Sequence, residues 1–183
     1  MTEPIYLIGY MGAGKTTVGR LLADKLGWYF VDLDEAFAEI NGTTVQDFIR
    51  RYGIEAFRRR EKECVEKLSE LPIQNVVYAT GGGYPCWEDN MECLKELGCS
   101  VYIRWNAKHL ASRVELSGTE HRPILQGKHG QELEDFIEWQ MSGREEYYNQ
   151  ANIIVDAPLS GEFSEENDEE IAQHLFLKLK NSK

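Results

Sequence analysis

The octapeptide Gly9-Tyr10-Met11-Gly12-Ala13-Gly14-Lys15-Thr16 constrains this chain more than any other stretch. It satisfies the pattern GxxxxGK[ST] at every fixed position, a match expected by chance in about 0.6% of chains of this length and composition. It follows the apolar run Ile5-Tyr6-Leu7-Ile8 and precedes a segment, Lys15 to Leu26, whose apolar residues Val18, Leu21, Leu22 and Leu26 recur at helical spacing. A strand, a glycine-rich turn and a helix in that order make a cradle for phosphate. The glycines let backbone N–H groups point inward, the helix N-terminus adds a favourable dipole, Lys15 can reach the β- and γ-phosphates, and the Thr16 hydroxyl can ligate Mg²⁺. Gly12, Ala13, Gly14, Lys15, Thr16 and Thr17 are therefore the candidate nucleotide contacts. A dinucleotide fingerprint is excluded, because Thr17 stands where GxGxxG needs its third glycine and a lysine inside the turn is foreign to it. No NKxD occurs to select guanine, so ATP is the expected nucleotide.

The remainder of the chain alternates short apolar runs with longer amphipathic segments. Strands are predicted at Trp28 to Leu33, Asn75 to Ala79, Ser100 to Arg104 and Ile153 to Val155. Helices are predicted at Phe37 to Ile40, Val45 to Tyr52, Ile54 to Leu71, Asp89 to Leu97 and Gln131 to Asn149, and again near the C-terminus, where Ile171, Leu175 and Leu179 form one stripe. Near-continuous apolar strands belong to a parallel sheet covered on both faces. The expected fold class is thus α/β, a three-layer sandwich with a five-stranded parallel sheet of the P-loop NTP hydrolase type, in one domain over 1–183. Val114 to Gly130 resists assignment; with three glycines, a proline and two histidines it has the length and composition of a mobile lid. The acidic run Glu162 to Glu170 reads as a solvated loop entering the last helix and is assigned no chemistry.

With 20 Lys and Arg against 31 Asp and Glu, the net charge is −11, which disfavours nucleic acid and anionic membrane surfaces as partners. An anionic ligand must then be held by a local cluster of cations. No run of about 18 apolar residues and no basic, apolar leader is present, and the four cysteines make no CxxC pair, so a cytoplasmic protein with reduced thiols is expected.

Two further clusters suggest chemistry. Asp32 and Asp34, two apart at the end of the second strand, would project to one face near a magnesium-bound nucleotide; the competing reading is a polar strand end or a helix cap. Arg58 and Glu61 lie at i, i+3 on one helix, where the acid can orient the guanidinium, whereas Arg59 and Arg60 fit a solvated face. Gly81, Gly82 and Gly83, after Thr80, would let a small ligand touch backbone N–H groups directly.

Taken together, GYMGAGKTTVGR at 9–20, DLD at 32–34, AFRRRE at 56–61, TGGG at 80–83, RPIL at 122–125 and REEYY at 144–148 resemble the shikimate kinase family, in the family's order over about four fifths of the chain. The resemblance implies ATP-dependent phosphorylation of the shikimate 3-hydroxyl with Mg²⁺, in aromatic amino-acid biosynthesis, by a small monomeric enzyme whose partners are shikimate and ATP. It implies that Asp34 binds the acceptor hydroxyls and acts as base, and that Asp32 lies near Mg²⁺. Arg58 and Arg144 would clamp the shikimate carboxylate, with Glu61 holding Arg58 and the glycines 81 to 83 walling the pocket. Helices at about 35–61 would bind the acceptor. Arg122 would be the lid arginine that swings onto the phosphates, within a lid at about 114–130. Thr16 and Ile124 depart from the commoner serine and leucine conservatively, and Ile49 replaces a frequent aromatic in the acceptor pocket. The segment after Asp156 lacks an arginine that some members place near adenine; Arg113 is the candidate for that contact, its alternative being a salt bridge at the lid hinge. A gluconate-type kinase and an ATP-binding switch without a small acceptor are the competing functions.

Overall fold

A computed structural model describes residues 3–118, 123–158 and 166–181. Among the described residues, five strands form one all-parallel sheet in the order β2-β3-β1-β4-β5, from β1 (Ile5–Ile8), β2 (Tyr29–Asp32), β3 (Val76–Ala79), β4 (Cys99–Arg104) and β5 (Ile153–Asp156). Every residue of β1 and β3 is buried, as are the first five of β4, which requires cover on both faces and accounts for their unbroken apolar sequence. The outer strands β2 and β5 are more exposed, Tyr29 most of all. The central register sets Ile5 beside Val77 on one side and Cys99 on the other, so the C-terminal ends of β1, β3 and β4 reach one edge together. Ligands of open parallel sheets bind at that edge.

The helices are α1 (Lys15–Leu26), α2 (Leu33–Asn41), α3 (Val45–Tyr52), α4 (Ile54–Ser69), α5 (Asn90–Leu97), α6 (Ala107–Ser117), α7 (Gly130–Ser142), α8 (Glu145–Tyr148) and α9 (Asn167–Asn181). Helix α1 opens on Gly14 in the left-handed region, φ 87°, with no side-chain cap. A helix N-terminus that begins without a side-chain cap is suited to an anion. Helix α3 shows the opposite arrangement, since the Thr44 hydroxyl accepts from the Asp47 N–H at 3.1 Å in a capping turn. Helices α2, α3 and α4 share a small core of their own, Phe37, Phe57 and Cys64 with Val45, Phe48 and Ile49 packed on it. The Phe37 ring sits edge-on to Phe48 and Phe57 at centroid distances of 5.2 and 5.1 Å.

Three local expectations are corrected. Asp32 and Asp34 do not share a strand face: β2 stops at Asp32, which caps α2 by accepting the Asp34 N–H at 3.0 Å. The single helix expected from Gln131 to Asn149 breaks at Gly143, where α7 ends and a turn through Arg144 leads into α8. The unassigned stretch from Val114 begins as the last turn of α6, which is capped by the Asn106 carboxamide accepting the His109 N–H and held by buried Leu110, Ala111 and Val114. The C-terminal stripe of Ile171, Leu175 and Leu179 is buried as expected.

Candidate functional site

The phosphate loop between β1 and α1 carries its lysine inward. Lys15 is 9% exposed, and its ammonium donates to the carbonyls of Gly9 at 2.8 Å and Tyr10 at 2.9 Å. Beside it, the Thr16 hydroxyl donates to Asp32 Oδ2 at 2.7 Å. A hydroxyl and a carboxylate thus converge at the start of α1, a pair of hard oxygen donors suited to a magnesium ion that keeps its remaining positions for water and phosphate. Among the described residues there is no group of three or more His, Cys, Asp or Glu that could hold a metal ion.

One helical residue further, Asp34 stands in the first turn of α2, open to solvent on one side and crowded by protein on the others. That crowding raises its pKa, and the negative charge of Asp32 adds to the rise against the opposing pull of Lys15 and Arg58. Below it α4 presents Arg58 and Glu61 one turn apart, Arg58 Nη1 donating to Glu61 Oε2 at 2.5 Å. The Arg58 and Glu61 side chains are 17% and 4% exposed. Burial raises the Glu61 carboxyl to about 7, with Arg58 pulling the other way.

The glycines after β3 are required by this packing. A Cβ on Gly81 would lie 2.7 Å from Glu61 Oε1 and 3.4 Å from Asp34 Oδ1, and one on Gly83 would overlap the Arg58 guanidinium. A Cβ on Gly82 would meet the Gly9 carbonyl and the Met11 N–H, each at 3.3 Å, so the triple glycine lies against the phosphate loop. From the other side Tyr148 donates its hydroxyl to the Gly82 carbonyl, and Arg144 Nη1 approaches the same oxygen at 3.5 Å. The Arg144 guanidinium lies 5.2 Å from the centroid of the Tyr10 ring, and the Tyr10 hydroxyl donates to Gln140 Oε1 at 2.5 Å. A cleft of about 380 Å³ lined by Cys86, Trp139, Gln140 and Arg144 opens there.

Lys15, Thr16, Asp32, Asp34, Arg58, Gly81, Gly82, Gly83 and Arg144, drawn from five separate parts of the chain, therefore meet around the end of the sheet. Arg122 lies outside the described residues. Arg113 sits on the far flank of the phosphate loop, with Nε donating to the Gly12 carbonyl at 2.7 Å and Nη2 to both oxygens of Asp168 at 2.8 Å. Four participants escaped sequence reasoning: Tyr10, Gln140, Trp105 and Asp168. Tyr10 occupies a free position of the loop pattern, and the partners of the others are fixed only by tertiary packing.

A phosphate loop joined to an acid pair and two arginines at the edge of a parallel sheet defines a P-loop kinase of a small anionic acceptor. Comparison narrows this class. The family model for shikimate kinase matches residues 11–180. A shikimate kinase of Bacteroides fragilis is 43% identical over 153 residues, 84% of each chain, and one of Parabacteroides distasonis is 40% identical over 153 residues, 84% of this chain and 87% of the relative. The crystal structure of the Bacteroides thetaiotaomicron shikimate kinase superposes with a TM-score of 0.86 at 37% identity, covering 97% of this chain and 98% of the other. An Acinetobacter baumannii shikimate kinase in complex with shikimate gives a TM-score of 0.83 at 30% identity, with 99% and 94% covered. The chain belongs to the shikimate kinase family, and it is an ATP-dependent kinase with an alcohol acceptor.

Proposed function

We propose that this chain carries out its family's reaction through the residues gathered above, transferring the γ-phosphoryl group of ATP to the 3-hydroxyl of shikimate. The observation that carries the residue assignment is Arg58, locked by Glu61 beneath Gly81, Gly82 and Gly83, with Arg144 across the same glycines and the phosphate loop against them. Forked guanidinium groups match a carboxylate, and both lie against the same run of glycines.

In this reading Lys15 exchanges the Gly9 and Tyr10 carbonyls for the β- and γ-phosphates, so it is already inside the loop when nucleotide arrives. The loop N–H groups from Gly12 to Thr17 and the uncapped start of α1 hold the phosphates. Thr16 and Asp32 would hold Mg²⁺, which when bound neutralises charge on the β- and γ-phosphates. Arg58 and Arg144 hold the acceptor carboxylate and thereby fix the ring, while Asp34 accepts a hydrogen bond from the 3-hydroxyl. As the hydroxyl oxygen bonds to the γ-phosphorus and the bond to the β,γ-bridging oxygen breaks, the proton passes to Asp34, whose raised pKa suits a base. The products are shikimate 3-phosphate, ADP and a proton released from Asp34. Arg122 would reach the transferring group from a lid over about 114–130, excluding water that would otherwise hydrolyse ATP. Arg113 flanks the loop at the Gly12 carbonyl. The whole chain acts as one kinase domain, with the helices of about 35–61 facing the acceptor. We place it in the cytoplasm as a monomer; no described helix is long and apolar enough to cross a membrane.

Coupled measurement of ADP release tests this directly. Turnover should depend on shikimate and be absent with gluconate; turnover with gluconate alone, or ATP binding with neither acceptor used, would overturn the assignment.

A further inference from the structure

A phosphate loop binds anions because its N–H groups face inward, and the same peptides must then turn carbonyls outward. In this chain two consecutive loop carbonyls are taken by side chains of the segment after β4, and the Ala13 N–H, on the peptide of the first, donates to the Tyr10 carbonyl at 3.1 Å. Arg113 Nε donates to the Gly12 carbonyl at 2.7 Å, and Trp105 Nε1 donates to the Ala13 carbonyl at 3.1 Å. Both donors are fixed in turn. Trp105 is 2% exposed, and the Arg113 guanidinium stacks on it at 4.7 Å from its ring. The guanidinium is then gripped by Asp168, both carboxylate oxygens accepting from Nη2 at 2.8 Å, with each side chain 14% exposed. Asp168 belongs to the first turn of α9, in the acidic run, and one of its oxygens lies 2.5 Å from where a Cβ of Gly14 would stand. The pair therefore packs directly on the loop glycine that opens α1.

We propose that Asp168 and Arg113, with Trp105, are positioning residues of the nucleotide site: the C-terminal helix, through one carboxylate, sets the inward aim of the phosphate-loop N–H groups. This rests on the nucleotide reading of the loop. An ion pair that merely stapled α9 to α6 would have no need of the Gly12 carbonyl. Asp168 acts only through Arg113 and the loop, so its influence falls on the phosphates and not on the base or the acceptor. It also gives one member of the acidic run, Asp168, a function.

The test is binding of Mg-ATP and of Mg-tripolyphosphate, which has phosphates and no base, to wild type, Asp168→Leu and Arg113→Met. Losing a hydrogen bond from a charged donor to a part-buried carbonyl is expected to weaken both ligands by about tenfold. The KM for shikimate should stay within about twofold, since the acceptor groups are untouched. Where a single variant folds poorly, the double variant Arg113→Met/Asp168→Leu, an apolar replacement of the buried pair, should recover thermal stability without recovering tripolyphosphate affinity. Arg113→Lys, which keeps the charge but not the fork, should behave as Arg113→Met. A lowered melting temperature with unchanged affinity for both ligands would reduce the pair to a staple. Weakened ATP with unchanged tripolyphosphate would make Arg113 a contact to the base; either result overturns the proposal. Tripolyphosphate binding does not involve the acceptor, so failure of the shikimate assignment would be seen separately, as wild type without shikimate-dependent turnover.

Discussion

Replacing Arg58 by alanine separates the acceptor pocket from both the nucleotide site and the fold. The guanidinium is nearly desolvated and bonded to Glu61 at 2.5 Å, so its hydrogen bonds to a bound carboxylate would be charge-assisted and poorly screened. Such bonds contribute about 1.5–3 kcal/mol. The KM for shikimate should therefore rise by about ten- to 150-fold, while the KM for ATP stays within about twofold. Stability falls as well, because Glu61 loses the cation that compensates its burial. An uncompensated buried carboxylate costs roughly 3–5 kcal/mol, less where the group can take a proton instead. Burial already raises Glu61 to about 7, and loss of Arg58 raises it further, so the destabilisation should be larger at pH 8 than at pH 6. The double variant Arg58→Met/Glu61→Leu should regain most of the lost stability and none of the shikimate affinity. Coupled ADP release under separate titration of the two substrates, with urea unfolding at both pH values, reads each part. A shikimate KM within twofold of wild type, or an equal rise in the ATP KM, would refute the assignment of the pocket.

Three other perturbations follow from the same geometry. Gly83→Ala is compatible with the backbone at φ −98°, but its methyl would overlap the Arg58 guanidinium and displace it, so the shikimate KM should rise by about tenfold with little change in melting temperature. Glu61→Gln tests the raised carboxyl. Between the ordinary value of 4.5 and about 7 the folded chain holds a proton that the unfolded chain has released, so this group's contribution is full below pH 4.5, declines as pH rises toward 7 and is flat above. The urea midpoint of wild type should then fall relative to Glu61→Gln between pH 5 and pH 8; a gap that does not change would contradict it. Lys15→Ala should abolish turnover while leaving the circular dichroism and the unfolding midpoint near wild type, and retained kcat would remove the lysine from the phosphate site.

Local patterns legible in the chain survive where the chemistry is itself local. The strands stand out because the central ones are buried on both faces, and Arg58 with Glu61 stands out because one helical turn joins them. Where two elements decide the outcome, the sequence is ambiguous. Asp32 and Asp34 fit one strand face by parity, but their use depends on where β2 yields to α2, and the cap that sets that point is seen only in the fold. Gly143 inside an otherwise helical pattern carries two meanings, a tolerated glycine or a stop, and the attraction of Arg144 and Tyr148 to the Gly82 carbonyl selects the stop. Asp168 is beyond sequence inference, since its partner Arg113 is 55 residues away and its neighbours are a run of similar acids. The net charge of −11 likewise conceals a local cluster of cations, because Lys15, Arg58 and Arg144 are brought together by topology and not by proximity in the chain.

The most direct test of the central claim, that one cleft holds nucleotide and acceptor in the arrangement described, is a crystal structure with Mg-ADP and shikimate. The account predicts the shikimate carboxylate on the Arg58 and Arg144 guanidinium groups, its 3-hydroxyl on Asp34 and the β-phosphate on Lys15. A carboxylate seated elsewhere, with Arg58 still held only by Glu61 and Asp34 facing solvent, would contradict it.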